Sequence, residues 1–202
     1  MPEDSQQEKP RQSDYAGRLQ RKPTAAGYRV ATFRDVIMRH GVVMGSLAVI
    51  CLVIPGTFSA LTTTTSKLIS DPIPYLMGLL GLFLFFFIWS GRREYLATRQ
   101  SQWILYLLFI SIVEEITFRL IFPALLSQQF TGLTAHLISN FLFAGIHYFT
   151  LRWRLRNCIV AFLGGMGLSQ LMGNGDLTLV VMAHWLGTFL NTPFPPSVPR
   201  SK

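Results

Sequence analysis

Two adjacent carboxylates and an arginine, Glu114, Glu115 and Arg119, stand inside an apolar run that covers residues 103–126. A run of that length can cross a bilayer, which takes about 20 apolar residues. The chain has ten acidic residues, and only these two sit in the middle of an apolar segment. A charge at bilayer depth costs about 2.5–3.5 kcal/mol or more, so a charged group there marks a functional site by default. Any fold of this chain must gather partners around the three groups, because lipid offers none.

The rest of the sequence is organised to match. The chain has 202 residues, of which 50% are hydrophobic. The first 40 are polar and charged, and almost everything after them is apolar with short polar breaks. The fold expected is an all-α, polytopic transmembrane helical bundle of about six spans behind a disordered, basic N-terminal tail. Residues 1–40 form that tail, with an amphipathic helix over 28–40. Residues 41–191 form the bundle, and 192–202 a Pro-rich tail. The first hydrophobic segment starts only after His40, so it is read as a signal-anchor that stays in the protein.

The expected spans are residues 41–61, 72–90, 103–126, 133–149, 158–172 and 177–190. Pro55 and Gly56 are expected to kink the first. Spans five and six are short for a crossing. The net charge of +8 is carried by the tail and the breaks. Arginines cluster before span one, between two and three, between four and five, and after six. By the positive-inside rule this makes a multi-pass integral membrane protein with both termini cytoplasmic. The basic balance thus speaks of topology and anionic lipid, not of nucleic acid. Cys51 and Cys158 show no metal or disulfide spacing and are expected to pack. Ala161, Gly165 and Ser169 recur every four residues, a small-residue stripe for close helix packing.

In a helix Glu115 and Arg119 lie four apart with the glutamate first, the favourable order for an ion pair. Glu114 is turned about 100° from Glu115. It is free to face something else, and is the candidate general base. Span four carries His136, Asn140, Phe143 and His147 at intervals of four, three and four, along one helical face. Span six carries His184, Thr188 and Asn191 on another. Three chemistries fit these residues. Glu114 and His147 could deprotonate a water that attacks an amide carbonyl, with His184 and a polar neighbour at the oxyanion. His147, His184 and Glu114 could bind a divalent metal, zinc, that activates the water. Glutamate and histidine could instead carry protons or ions across the membrane, though no internal repeat supports a transporter.

The run Glu114-Glu115-x-x-x-Arg119, then Phe143-x-x-x-His147, then His184 resembles the three motifs of the CPBP family, also called Abi or type II CAAX prenyl proteases. The stretch from Ser139 to His147, Gly167 and the pair Ala183-His184 are similar as well. The resemblance covers residues 103–191. It implies an all-helical membrane fold and an intramembrane endopeptidase acting on a membrane-anchored or lipidated protein. Glu114 and His147 would activate water, and His184 would serve the oxyanion. Glu115, Arg119, Phe143, Asn140, Thr188 and Asn191 would support them. The resemblance requires no cofactor with certainty, and a metal stays open beside a glutamate mechanism. Where the family usually has Asn or Asp four residues after the third histidine, this chain has Thr188, whose hydroxyl has a different reach. Asn191 lies one turn further on. The alternative from another class is a non-catalytic membrane scaffold or immunity-type protein that keeps the polar site for packing.

Overall fold

Helix α1 is set by a capping box. The Thr32 hydroxyl accepts from the Asp35 amide at 3.1 Å, and the Asp35 carboxylate accepts from the Thr32 amide at 2.9 Å. In the computed structural model, which describes residues 30, 32–91 and 97–196, α1 runs over Phe33–Leu52. Its second turn is a π segment, Ile37–Gly41. Val36, His40, Met44 and Ala48 are buried along one side. Residues 33–40, assigned from sequence to the tail, are thus the first turns of the helix. Arg92, Arg93, residues 1–29 and the end of the Pro-rich tail lie outside the described residues.

The pair Pro55-Gly56 ends α1 where a kink was expected. Gly56 has φ 85°, a left-handed conformation that costs a glycine nothing. The Thr57 hydroxyl donates to the Cys51 carbonyl at 2.9 Å, filling one of the acceptors that the helix end leaves open. Two short helices follow, α2 (Thr57–Thr64) and α3 (Ser66–Ser70). Then comes α4 (Pro72–Gly91), 20 residues long, with proline at its first position where no amide is needed.

The central helix, α5, covers residues 97–126. It is α-helical over Ala97–Glu115 and Phe122–Leu126, with a π segment, Ile116–Ile121, between. A π turn loosens the backbone ladder. Here the Ser139 hydroxyl from the next helix donates to the Phe118 carbonyl at 2.7 Å. The last three helices are α6 (Gly132–Thr150), α7 (Leu155–Met172) and α8 (Leu177–Asn191). The Asp176 side chain caps α8 by accepting from the Leu179 amide at 3.0 Å.

α5 touches α1, α4, α6, α7 and α8. Phe86 of α4 stacks on Phe189 of α8 at 4.0 Å, with Trp185 edge-on at 4.8 Å. Met44, Ile110, Val113, Phe118 and Phe143 form a second cluster at the middle of α5. Cys51 and Cys158 are buried and unpaired.

Every described helix is α or π, and no strand occurs among the described residues. Two helices are long and apolar enough to cross a membrane, Phe33–Leu52 and Pro72–Gly91, and α8 is a shorter apolar helix. The expected six spans therefore reduce to an all-helical bundle with two clear candidate spans. The charges of α5 lower its apolar character, and α8 has only 15 residues. The outer surface is strongly apolar. Ile73, Leu76, Met77, Leu80 and Ile88 of α4 are exposed, as are Leu133, Phe141 and Phe149 of α6.

Candidate active site

Glu114, Glu115 and Arg119 are all buried. Glu115 and Arg119 face each other, Oε2 to Nε, at 3.4 Å. This is the pairing that the four-residue spacing predicts. Glu115 has a second partner that the spacing does not show. The His184 Nδ1–H donates to its Oε1 at 2.6 Å. Glu115 therefore ties the middle of α5 to α8. The Arg119 guanidinium lies 4.2 Å from the centre of the Phe143 ring, so part of its charge rests on an aromatic face.

Glu114 faces the other way, as its rotation requires, and three imidazoles surround it. His40 Nε2 lies 2.9 Å from its Oε1 and His147 Nε2 lies 3.4 Å from the same oxygen. His184 Nε2 lies 3.6 Å from Oε2. The structure thus brings Glu114, His147 and His184 together. It also adds a residue that sequence reasoning left at the end of the tail, His40.

The hydrogen bonds fix the orientation of the rings. His147 Nδ1 is 2.7 Å from the Phe143 carbonyl, which can only accept, so Nδ1 carries the hydrogen. His40 Nδ1 is 2.8 Å from the Thr150 hydroxyl. That hydroxyl spends its own hydrogen on the Ile146 carbonyl at 2.7 Å, so it accepts from His40. Both rings therefore have Nδ1–H engaged and turn Nε2 toward Glu114.

The π segment of α1 is held against α6 from a second point. Arg39 Nε donates to the Thr150 carbonyl at 3.1 Å, at the end of α6 where helix carbonyls lack partners. Gly41 allows the approach of α5, since a Cβ built there would lie 3.1 Å from the Tyr106 ring. On the far side, Arg152 adopts φ 58° and turns the chain so that Trp153 packs on His147 at 4.6 Å between ring centres.

His40, Glu114, Phe143, His147 and His184 wall a cavity of about 300 Å³. Thr188 and Asn191 line it, as do Tyr106 and Trp153. The Tyr106 hydroxyl and the Trp153 indole N–H are buried without hydrogen-bond partners among the described residues. Two polar groups on the cavity wall are thus unspent.

Asn140 is elsewhere. Its side-chain amide donates to the Ser169 hydroxyl at 2.9 Å and to the His136 carbonyl at 2.8 Å. It joins α6 to α7 beside Arg119. A Cβ at Gly165 would fall on Asn140 Oδ1 and within 2.9 Å of Arg119 Nη2. Gly165 and Ser169, expected to serve helix packing alone, also accommodate this buried polar network. His136 does not line the cavity.

The ligand atoms that could hold a metal ion are those of His40, Glu114 and His147, all within 4.8 Å of one another. Among the described residues His184, which the sequence reading set beside His147 and Glu114 as a ligand, is not in that group. The reason is geometric. Glu115 holds His184 by Nδ1, and the ring addresses the opposite oxygen of Glu114.

Residues 96–190 match the family model described as Type II CAAX prenyl endopeptidase Rce1-like. The match spans all three motifs and names the family that those motifs resemble. That family is one of integral membrane proteases. His40 lies outside the matched residues. No curated protein and no solved structure matches the chain.

Proposed function

We propose that the protein is an intramembrane endopeptidase that hydrolyses a peptide bond in a membrane-associated, prenylated or C-terminally anchored protein. The observation that carries this reading is the meeting of Glu114, His147 and His184 within 3.4–3.6 Å on the wall of an apolar cavity. The family match covers the same residues. In this reading a water sits between Glu114 and His147. Glu114 takes its proton as the oxygen attacks the scissile carbonyl, and the same group returns the proton to the leaving amine.

His184 faces the developing oxyanion through Nε2, with Glu115 balancing the charge of the ring when both its nitrogens carry hydrogen. Preformed donors of this kind are effective because they need no reorganisation during the reaction. Thr188 and Asn191 stand beside His184 on the cavity wall and share the place of the amide usual in the family. The unspent donors of Tyr106 and Trp153 fit carbonyls of an extended substrate. The substrate reaches the cavity from the bilayer, with both termini of the enzyme on the cytoplasmic side and the membrane bundle beginning at α1, Phe33–Leu52, and not at residue 41.

A network kept only for packing would be expected to satisfy its buried polar groups. The unpaired Tyr106 and Trp153 donors around a cavity speak against the scaffold alternative. The test is cleavage of a prenylated peptide and of a membrane-anchored reporter by the full chain in liposomes. Glu114→Gln is expected to abolish cleavage while the helical content is unchanged. Normal turnover by that variant would sink the assignment.

A further inference from the structure

Of the four histidines in the chain, only His40 lies outside the residues that match the family, and it makes the shortest contact to the proposed base. Its Nε2 lies 2.9 Å from Glu114 Oε1, and both groups are buried. An ionised carboxylate only accepts, so His40 donates this hydrogen bond. Its other ring hydrogen, on Nδ1, goes to the Thr150 hydroxyl at 2.8 Å. The ring thus carries both hydrogens, and its charge answers that of Glu114 as Arg119 answers Glu115. His147 is placed differently. Its Nε2 lies 3.4 Å from the same oxygen, and its Nδ1–H is spent on Phe143. One imidazole holds the carboxylate, and the other stands further off.

We infer that His40 is a positioning residue for Glu114: it fixes the direction in which the carboxylate points and supplies the charge that keeps it ionised. The reaction that this serves is the one proposed above, and the inference rests on that reading. A glutamate ends in a broad, weakly restricted torsion, so its carboxylate turns unless something holds it. A base must meet the water and the scissile carbonyl together, and a displacement of about 1 Å can cost about 10²-fold in rate. His147 and His184 face the same carboxylate at 3.4 and 3.6 Å, too far to fix it as the His40 bond does.

The His40 ring is itself held on both sides in sequence. Arg39 donates to the Thr150 carbonyl at 3.1 Å, and Gly41 seats α1 on the Tyr106 ring. The Thr150 hydroxyl, which takes His40 Nδ1–H, is fixed in turn by its bond to the Ile146 carbonyl at 2.7 Å. Arg39 and the Nδ1 bond already join α1 to α6. The Nε2 bond goes instead to the group that the reaction uses. The motif residues thus supply the base, and α1 sets it.

The test compares two substitutions of the full chain. His40→Leu removes the bond to Glu114, and His40→Gln returns an N–H donor near the place of Nε2. In liposomes, with the prenylated peptide as substrate, His40→Leu should lower kcat about 10–100-fold and leave KM within about threefold, because the bond acts on the base and not on substrate binding. His40→Gln should recover most of that loss. Helical content and elution volume identify a variant that fails to fold, and His40→Gln, which keeps a polar side chain there, is the milder of the two. A second readout needs no substrate. The carboxylate stretch of Glu114, isolated as the infrared difference between wild type and Glu114→Gln, should shift in His40→Leu and return in His40→Gln. A lower melting temperature in His40→Leu with kcat and the band unmoved would make His40 a packing residue and overturn the inference. So would a glutamine variant as slow as the leucine one, with its band still shifted. Absence of cleavage by the wild type would remove the peptidase reading by itself. The band then decides alone: a shift that glutamine reverses upholds the positioning of Glu114, and an unmoved band overturns it.

Discussion

α4 and the middle of α5 are both helices in an apolar chain, and they meet their surroundings in opposite ways. α4 is apolar on all sides, yet only Phe86 and Ser90 are buried. Residues 113–121 of α5 are all buried, and they hold both glutamates and the arginine. In a water-soluble protein the more apolar helix would be the one inside. Here the order is reversed, because lipid solvates leucine and phenylalanine as well as a core does, and only the interior can supply partners for a charge. Hydropathy therefore marks α4 as a candidate span and passes over α5.

Substitutions can break or sharpen that contrast. The largest effect is expected in α5, at Glu114→Gln. Cleavage should fall by roughly 10²–10⁴-fold with stability nearly unchanged, measured as turnover against thermal unfolding in the same detergent. Next comes Arg119→Ala, which leaves Glu115 as a buried charge without its arginine. A loss of about 3–5 kcal/mol is expected in chemical or thermal unfolding. A loss under about 1 kcal/mol would mean that His184 alone satisfies Glu115. Gly165→Ala comes third. Its added carbon meets Asn140 and Arg119, and overpacking of this kind costs about 1–3 kcal/mol. An unchanged melting temperature would show that the polar network can yield. The smallest effect belongs to α4. Leu80→Ala on its exposed face should shift stability by no more than about 0.5 kcal/mol. A large loss there would show that α4 is covered by another protein surface and not by lipid.

How much of this was legible in the sequence depended on spacing. The ion pair of Glu115 and Arg119 follows from an interval of four, and the divergence of Glu114 from Glu115 follows from adjacency on a helix. His147 and His184 were visible as polar residues in apolar helices and as parts of motifs. His40 was not, because it stands where the polar tail gives way to the apolar segment, and there a histidine reads as interfacial. A signal did exist. Val36, His40, Met44 and Ala48 recur at intervals of four, and all four are buried. A histidine inside such a stripe belongs to the interior. Asn140 shows what a stripe leaves open. It shares a stripe with Phe143 and His147, but one helical face can address two neighbours. Asn140 turns to Ser169 on α7, while the other two reach the cavity.

The π segment of α1 has a further consequence, best put as one of phase. In an α-helix a step of four residues overshoots a full turn by about 40°. Three such steps would carry Ala48 well away from the side that holds Val36. A π turn holds more than four residues, so the same step falls short of a full turn and offsets that drift. The segment Ile37–Gly41 thus works as a correction in the middle of the stripe. It keeps Val36, the His40 ring and Met44 in register on the surface that meets α5 and α6. A deletion of one residue between 37 and 41 would tighten that turn. The helix would remain a helix, and the imidazole would address a different neighbour.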